Sequence, residues 1–522
     1  MQLNEAVKSV FASGNFTSLD WGIVVIYLLA SLIIGVFSNR FIKGISGYII
    51  AGRSLGTALA VATMTGTELG LITVMYSAQK GFTGGFAAFH IAVICLIVTF
   101  FVGLSGFIVA RLRESQVMTI PEYYEQRFGR RTRILGGILL AFGGILNMGL
   151  FLKVGSMFVV GVTGMDPTGG LLTAVMVTLI ALVLAYTILG GMVSVVVTDY
   201  FQFVVLSFGM LLMVGLTLNR FGWDQMVDVV FQFKGRGGFD PTVSEGGFGF
   251  TYMSWQAVLG LVSCAIWPTA VTRALSSRDV KTVKRQYMLS SLSFMIRFMI
   301  PYFLGIGAFV FVMTSGGLYK EIFFPEDPSQ AVNNLYAMPL FVSHVVPTGL
   351  LGLVTAAMLA AFMSTHDSYL LCWSSVITLD IISPLRHRKP ITDKGKILLT
   401  RVIMLLIGAY IVFWGLFYEG SEDIWDYMGI TGAIYFTGAI SLLLFGLYWK
   451  RASSTGAVLS LLGGFSAVLG LGKVRLWLGG LLGMELTPAH VGLFSLFLSM
   501  GAMVLGSLLF PDKQRQSVTE AE

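Results

Sequence analysis

Three hydroxyl residues lie on one side of a long apolar stretch in the second half of the chain. Ser364, Thr365 and Ser368, at positions i, i+1 and i+4 of GLLGLVTAAMLAAFMSTHDSYLLCWSSVITLD, share that side with Ala361 at i−3. Hydroxyl oxygens on a face of small residues favour a cation site. The alternative is that each hydroxyl satisfies a carbonyl of its own helix, which is common in membrane helices.

A histidine and a carboxylate, His366 and Asp367, follow directly in the same stretch. One carboxylate at the centre of a spanning helix costs about 2.5–3.5 kcal/mol even on insertion scales, so this helix must face protein or a water-filled cavity. Neighbouring residues on a helix point about 100° apart, which makes the two residues a poor catalytic dyad. We therefore expect no enzymatic activity.

A second cluster centres on Glu68, which stands between Gly66 and Gly70 in LGTALAVATMTGTELGLITV. Glycines around an intramembrane carboxylate predict a locally unwound helix, whose freed carbonyls are ready ligands for a cation. The alternative is that both glycines merely allow close helix packing. Pro268, near the middle of another apolar segment, predicts a second interruption.

Two further ionisable groups lie within apolar segments and need partners. Lys153, in LNMGLFLKVGSMFVVG, is either an internal counter-ion to Glu68 or a ligand for a carboxylate on a bound solute. A third alternative, with no functional role, is that its ammonium group extends along the helix to the membrane interface. Asp199 lies near the inner end of its segment, where contact with cytoplasmic water would also explain it.

The elements that must position these groups are membrane helices. The chain is 55% hydrophobic and 12% charged, with a mean hydropathy of +0.81, whereas soluble domains carry about 25% charged residues. Thirteen apolar segments reach spanning length, which predicts an all-α polytopic membrane protein. The segments are Trp21–Ser38, Leu55–Ser77, Phe86–Ala110, Ile134–Val162, Gly170–Ile188, Val195–Leu218, Ser254–Thr272, Met288–Met313, Leu340–Ile382, Ile397–Phe417, Ile424–Tyr448, Thr455–Leu471 and His490–Leu509.

Positive charge is concentrated in alternate loops, and the outward loops are acidic or, at Arg220–Glu245, mixed. With the N-terminus outside, the cation-rich loops 111–133, 273–285 and 386–401 all face the cytoplasm, and the acidic loop 320–327 faces outward. We therefore expect a multi-pass protein of the cell membrane with a cytoplasmic C-terminus. The net charge of +7 belongs to these loops and indicates no nucleic-acid partner. No phosphate-binding loop or metal-ligand spacing of cysteines occurs, so no cofactor is expected beyond a coupling ion.

Five motifs carry a resemblance to a known family. The chain resembles the sodium/solute symporters, relatives of the sodium/glucose, sodium/proline and sodium/pantothenate carriers. The motifs are AGRSLG at 51–56, IPEYYEQRFG at 120–129, YTILGGMVSVVVTDYFQ at 186–202, LAAFMST at 359–365 and GLYWKRASSTGA at 446–457.

The resemblance implies a single transporter domain over residues 1–522. Its core is a five-plus-five inverted repeat with one helix before it and two after. The expected parts are a leading helix at 21–38, a ten-helix core at 55–448, two C-terminal helices at 455–509 and a cytoplasmic tail at 510–522. In such a repeat the segments of Glu68 and Pro268 are equivalent, and broken helices there line the binding site.

The resemblance also implies two ion sites. The common sodium site would use carbonyls of the broken helix and of the hydroxyl-bearing helix, together with two hydroxyls of the latter. Its residues are Gly66, Leu69, Ala361, Ser364 and Thr365. Some relatives hold a second sodium ion nearer the cytoplasm, where Asp199, Asp367 and Ser368 stand in this sequence.

The solute pocket is expected around Glu68, Lys153 and Trp267. Two positions depart from the sugar-carrying relatives. Thr272 stands where a glutamine usually precedes the arginine, and Trp267 replaces a substrate-binding amide. Both departures argue against a sugar-type pocket, and Lys153 favours a carboxylate-bearing solute such as a monocarboxylate or an amino acid.

The expected function is a secondary active symporter that couples inward sodium movement to the uptake of a small organic solute. One alternative is the same fold driven by protons, with Glu68, Asp199 or Asp367 titrating. The others are a channel or a sensor that binds solute without transporting it. The sequence specifies no oligomeric state.

Overall fold

The structure is a computed structural model that describes residues 2–37, 44–166, 170–244, 247–386, 389–417 and 424–512. Within these ranges the regular structure is helical, with no strand and a single parallel bridge between Leu55 and Ser277. Ser38, at the end of the first predicted segment, and the predicted tail from residue 513 onward lie outside the described residues.

The helices of the first half begin with two short elements around a spanning helix and include the first core helices. They are α1 Gln2–Ala12, α2 Ser18–Phe37, α3 Gly44–Ile50, α4 Thr57–Glu68, α5 Leu71–Gly84, α6 Phe89–Ser105, α7 Val109–Glu114, α8 Ile120–Phe128, α9 Arg130–Gly149, α10 Phe151–Thr163, α11 Leu171–Phe221 and α12 Trp223–Lys234.

The second half repeats the pattern of long helices and short interruptions. Its helices are α13 Phe250–Ile266, α14 Pro268–Ser276, α15 Val280–Ser315, α16 Gly317–Phe323, α17 Ala337–Val345, α18 Leu350–Val376, α19 Ser383–Leu385, α20 Asp393–Phe417, α21 Ile424–Tyr448, α22 Ser454–Phe465, α23 Gly472–Leu482 and α24 Pro488–Leu509. A π-helical turn, Ile377–Ile382, continues α18.

The predicted fold class is confirmed. Ten helical runs of the described residues are long and apolar enough to cross a membrane, where α5 with α6, α9 with α10, and α13 with α14 each count as one run and α11 counts as two. The number is eleven if α22 and its continuation count with α23 as one span bent by 89°. The predicted segment 424–448 coincides with α21. The fifth and sixth segments appear as one run, α11, that breaks its helical geometry at Gly191, where φ is 50°. The division of the chain into leading helix, core and C-terminal pair stays a prediction.

Proline and glycine positions explain the internal boundaries. The ninth predicted segment is divided as expected, because α17 ends at Val345 and α18 begins at Leu350, on either side of Pro347. Glycine permits the closest helix contacts: a Cβ at Gly305 of α15 would overlap the carbonyl of Ala78 in α5. The backbones of α15 and α5 are therefore in direct contact at this point.

Candidate functional site

The helix that contains Glu68 is broken where the sequence predicts. Glu68 is the last residue of α4, and Leu71 is the first residue of α5. Between them Leu69 (φ −92°, ψ 62°) and Gly70 (φ −81°, ψ 162°) leave helical geometry. The carbonyls at the end of α4 therefore lack the donors that a continuous helix would supply.

A second break separates α13 from α14 at Trp267, whose ψ of 121° is extended. Pro268 occupies the first position of α14, where its missing N–H costs no hydrogen bond. The interruption predicted from Pro268 is therefore present. The two broken helices meet, because the Thr269 hydroxyl of α14 donates to Glu68 Oε1 at 2.8 Å.

The hydroxyl-bearing face of α18 packs against the first break. Thr365 Oγ1 lies 3.3 Å from the carbonyl oxygen of Thr67 and 3.1 Å from that of Ala361 on its own helix. A Cβ at Gly70 would overlap Thr365 Oγ1, so the absence of a side chain there is required for this contact. The structure thus joins the broken helix and the hydroxyl pair, which the sequence proposed as parts of one site.

Ser364 does not satisfy its own helix. Its hydroxyl donates to Asp199 Oδ1 across the interface with α11. Gly66 lies at the same interface, since a Cβ there would be 3.2 Å from the carbonyl oxygen of Asp199. All five residues predicted for the first sodium site are buried, with at most 7% of Leu69 exposed.

Asp199 is fully buried rather than in contact with cytoplasmic water. It accepts hydrogen bonds from the hydroxyls of Thr63 at 2.6 Å and Thr67 at 2.9 Å, besides that of Ser364. Arg273 Nη2 lies 3.4 Å from its Oδ2. Arg273, counted among the cations of the inner loop 273–285, is only 1% exposed and belongs to α14.

The residues expected for a second ion site form one network that already contains a cation. Arg273 Nη2 donates to Ser368 Oγ at 2.6 Å, and Ser368 donates to Asp367 at 3.1 Å. Asp367 also accepts from the Tyr186 hydroxyl at 2.8 Å. A guanidinium therefore lies among Asp199, Asp367 and Ser368. The need of a buried carboxylate for a counter-charge could have pointed to it from the sequence.

A cavity of about 140 Å³ adjoins the first break. Its polar lining includes Glu68, Asn147, Gln256 and Arg297, and Trp267 contributes to its aromatic wall. Thr67 and Thr365 also line it, so the contact between α4 and α18 is one of its walls.

The counter-ion of Glu68 is Arg297, not Lys153. Arg297 Nη1 lies 3.2 Å from Glu68 Oε2 and 2.8 Å from the Glu68 carbonyl oxygen. Lys153 is not among the described residues that line the cavity; its Cβ lies beside Gly415 of α20, 3.5 Å from where a Cβ there would stand. Arg297 falls inside the predicted segment Met288–Met313, so its charge within a span was the signal that sequence reasoning missed.

His366 and Asp367 do not act together. His366 Nδ1 shares a hydrogen bond of 2.9 Å with the Phe362 carbonyl of its own helix, while Asp367 bonds Tyr186 and Ser368. The expectation that these neighbours form no dyad agrees with this geometry.

A third ion pair lies at the other end of α18. Asp380, in the π-helical turn, accepts from Arg133 Nε at 2.9 Å and from the Thr119 hydroxyl at 2.8 Å. Arg133, near the start of α9, also donates to the Leu379 carbonyl at 3.0 Å and to Glu125 at 2.5 Å. These bonds fasten the end of α18 to α8 and α9.

Comparison with known proteins identifies relatives along most of the chain. The model of the sodium:solute symporter family matches residues 48–464. Sodium/glucose cotransporter 4 of Danio rerio is 25% identical over 519 residues, which cover 90% of this chain and 73% of that protein. The high-affinity proline transporter of Bacillus subtilis is 25% identical over 464 residues, which cover 84% and 89%. These relatives are transporters, not enzymes.

A solved structure shares the fold. The outward-open, substrate-bound structure of a Na⁺-coupled sialic acid symporter matches with a TM-score of 0.77 and 20% identity. The match covers 95% of this chain and 99% of that one, so the fold is shared over nearly the whole length.

The contact between Gly70 and Thr365 is directly testable. We expect Gly70→Ala to destabilise the protein by about 1–3 kcal/mol, because the added methyl must displace α18 from the break. Gly56→Ala is the matched control: Gly56 has similar extended geometry before α4, and a Cβ there meets nothing within 4 Å. Thermal unfolding of the purified variants measures the difference. Equal melting temperatures would contradict the close packing.

Proposed function

Because the chain belongs to the sodium:solute symporter family, we propose that it couples inward Na⁺ movement to the uptake of a small organic solute by alternating access. The contact of the α18 hydroxyls with the break between α4 and α5 is the observation that carries this proposal. We further propose the orientation expected from the loop charges, with the N-terminus outside and the C-terminus in the cytoplasm of a cell-membrane protein.

The proposed coupling-ion site uses five oxygens: the carbonyls of Gly66, Leu69 and Ala361 and the hydroxyls of Ser364 and Thr365. Neutral carbonyl and hydroxyl oxygens suit a hard monovalent cation and need no deprotonation. Asp199 orients the Ser364 hydroxyl, because its Oδ1 accepts the hydrogen bond that this hydroxyl donates. The lone pairs of Ser364 Oγ then point away from Asp199 and remain available to an ion. Its charge lies one hydrogen bond from the proposed ion.

Coupling follows from shared residues. Thr365 belongs both to the proposed ion site and to the wall of the cavity, and Glu68 lines the cavity directly before Leu69. An ion that ties α4 to α18 therefore stabilises the wall against which the solute binds. Such linkage is reciprocal, so bound solute also strengthens ion binding.

Alternating access requires that the cavity be closed toward one side of the membrane while it is open toward the other. In the proposed orientation the Arg133–Asp380 pair lies at the cytoplasmic end, where it joins α18 to α9. Trp425, at the start of α21, lines the cavity toward the outside. We infer that the pair separates when ion and solute leave inward.

The solute is proposed to carry a carboxylate. Lys153 was the first candidate to bind it, but Arg297 is the cation that lines the cavity. At the expected second ion site we propose that the guanidinium of Arg273 takes the place of a second sodium ion, because it already contacts Asp199 and Ser368. Of the three carboxylates that a proton-driven carrier could titrate, Asp199 pairs with Arg273 and Glu68 pairs with Arg297, which favours sodium.

Sodium binding should be visible without knowledge of the solute. We expect NaCl to raise the melting temperature of the purified protein, whereas choline chloride at equal ionic strength and fixed pH does not. An ion present at 100 times its dissociation constant stabilises by about 2.7 kcal/mol. The same comparison is repeated at several pH values. A melting temperature that changes with pH and not with the Na⁺ concentration would instead support proton coupling.

Removal of either hydroxyl should weaken the ion site. We expect Ser364→Ala or Thr365→Ala to raise the Na⁺ concentration for half-maximal stabilisation about tenfold, since each removes one ligand of a charged group. The controls are Ser374→Ala and Thr355→Ala, buried hydroxyls on the same helix that donate to carbonyls of α18 itself. An unchanged Na⁺ midpoint in both test variants would exclude this site.

A further inference from the structure

We propose that the transported solute is a small zwitterion whose carboxylate binds Arg297 and whose ammonium group binds Glu68. This inference rests on the proposed symport function and names the substrate class of the same cavity. Glu68 and Arg297 are the two charged side chains among the described residues of the cavity lining, and they carry opposite charges 3.2 Å apart.

Arg297 has donors to spare for a carboxylate. Nη1 donates to both the carbonyl and the carboxylate oxygens of Glu68, the Cys95 thiol lies beside the guanidinium, and Nε is buried with no partner. The rings of Phe294 and Phe298 lie 3.9 Å and 4.5 Å from Cζ and hold the plane of the guanidinium in place. A fixed guanidinium with free donors is suited to two-point binding of a carboxylate.

Glu68 has acceptor capacity left for an ammonium group. Oε1 accepts from the Thr269 hydroxyl and Oε2 from Arg297, whereas an ionised carboxylate offers about four acceptor positions. Because Glu68 ends α4, an ammonium group bound there would contact the helix end that supplies the proposed ion ligands. Solute and ion would then stabilise the same break.

The two opposite charges of the cavity favour a zwitterion over a singly charged solute. A lone anion at Arg297 would also face the carboxylate of Glu68, and a lone cation at Glu68 would also face the guanidinium of Arg297, because the two groups lie 3.2 Å apart. A zwitterion keeps the site neutral and gives each protein charge a second partner.

The rest of the wall fits a compact solute with an apolar or small body. Aromatic rings dominate it, with Tyr76 and Trp425 at 4.8 Å and Trp267 and Phe436 at 5.0 Å between ring centroids. Such faces pack against hydrocarbon and also attract an ammonium group. Asn147 and Gln256 are the two amides among the described residues of the lining.

The test uses matched triads that differ only in their charged groups. They are L-valine, 3-methylbutanoate and isobutylamine; L-phenylalanine, 3-phenylpropanoate and phenethylamine; and L-proline, cyclopentanecarboxylate and pyrrolidine. Each compound is added to the purified protein at saturating Na⁺, and active compounds are followed as labelled solutes into proteoliposomes under a Na⁺ gradient. We expect, in at least one triad, thermal stabilisation and Na⁺-dependent uptake of the zwitterion at a concentration at least tenfold below that needed for either analogue.

Several outcomes would overturn the proposal. They are a carboxylate analogue that matches its amino acid, a response to D-glucose or myo-inositol instead, and no response in any triad. Stabilisation by Na⁺ alone is measured in the same samples. If it persists, the substrate class is wrong while the symport proposal stands, and if it is absent, the ion site itself is wrong.

Variants assign the two ends of the solute. Glu68→Gln should raise the zwitterion midpoint at least tenfold and leave that of the carboxylate analogue unchanged, a selective effect that general unfolding cannot produce. Arg297→Lys keeps the charge but loses the planar donor pair, and should weaken both compounds. Lys153→Gln is the control, a cation of the same membrane region outside the cavity. A solute midpoint that responds to Lys153→Gln and not to Arg297→Lys would contradict the assignment.

Discussion

A helix that stops inside a membrane-spanning segment leaves carbonyl groups that must find partners within the protein, and this constraint governs the centre of the molecule. The end of α4 meets it by packing against α18, where Thr365 approaches the Thr67 carbonyl and Gly70 leaves room for the contact. The atoms that solve this structural problem are also good ligands for an alkali cation. The break and the proposed ion site are therefore one feature.

Three carboxylates within the helix bundle pair with arginines from other helices. Each pair joins two elements that lie far apart in the sequence. For the two fully buried carboxylates, Asp199 and Asp380, loss of the arginine would leave a charge uncompensated at a cost of about 3–5 kcal/mol. The pairs are Glu68 with Arg297, Asp199 with Arg273, and Asp380 with Arg133. They join α4 to α15, α11 to α14, and the end of α18 to α9, so the proposed ion site, the cavity and the C-terminal end of α18 are held by the same kind of interaction.

The sequence alone could not show whether Lys153 or Arg297 pairs with Glu68. Both are cations within apolar segments, and nothing in local spacing says which of them faces Glu68. Lys153 packs beside Gly415 of α20, whereas Arg297 contacts the end of α4 at the cavity. Arg273 was assigned to a loop for a similar reason: its segment is interrupted at Trp267, and α14 continues beyond the interruption to Ser276 with Arg273 buried.

The sequence by itself determined the class of fold, both helix breaks and the hydroxyl face of α18, because these depend on local hydropathy, glycine, proline and helical periodicity. The family follows from ordered motifs and is confirmed by the match over residues 48–464. Tertiary structure alone decided which charges pair, that Ser364 turns to Asp199 rather than to its own helix, and that the cavity shares Thr365 with the proposed ion site. Those outcomes depend on contacts between residues that lie 74 to 298 positions apart in the chain, and local sequence patterns do not specify which distant segments pack together.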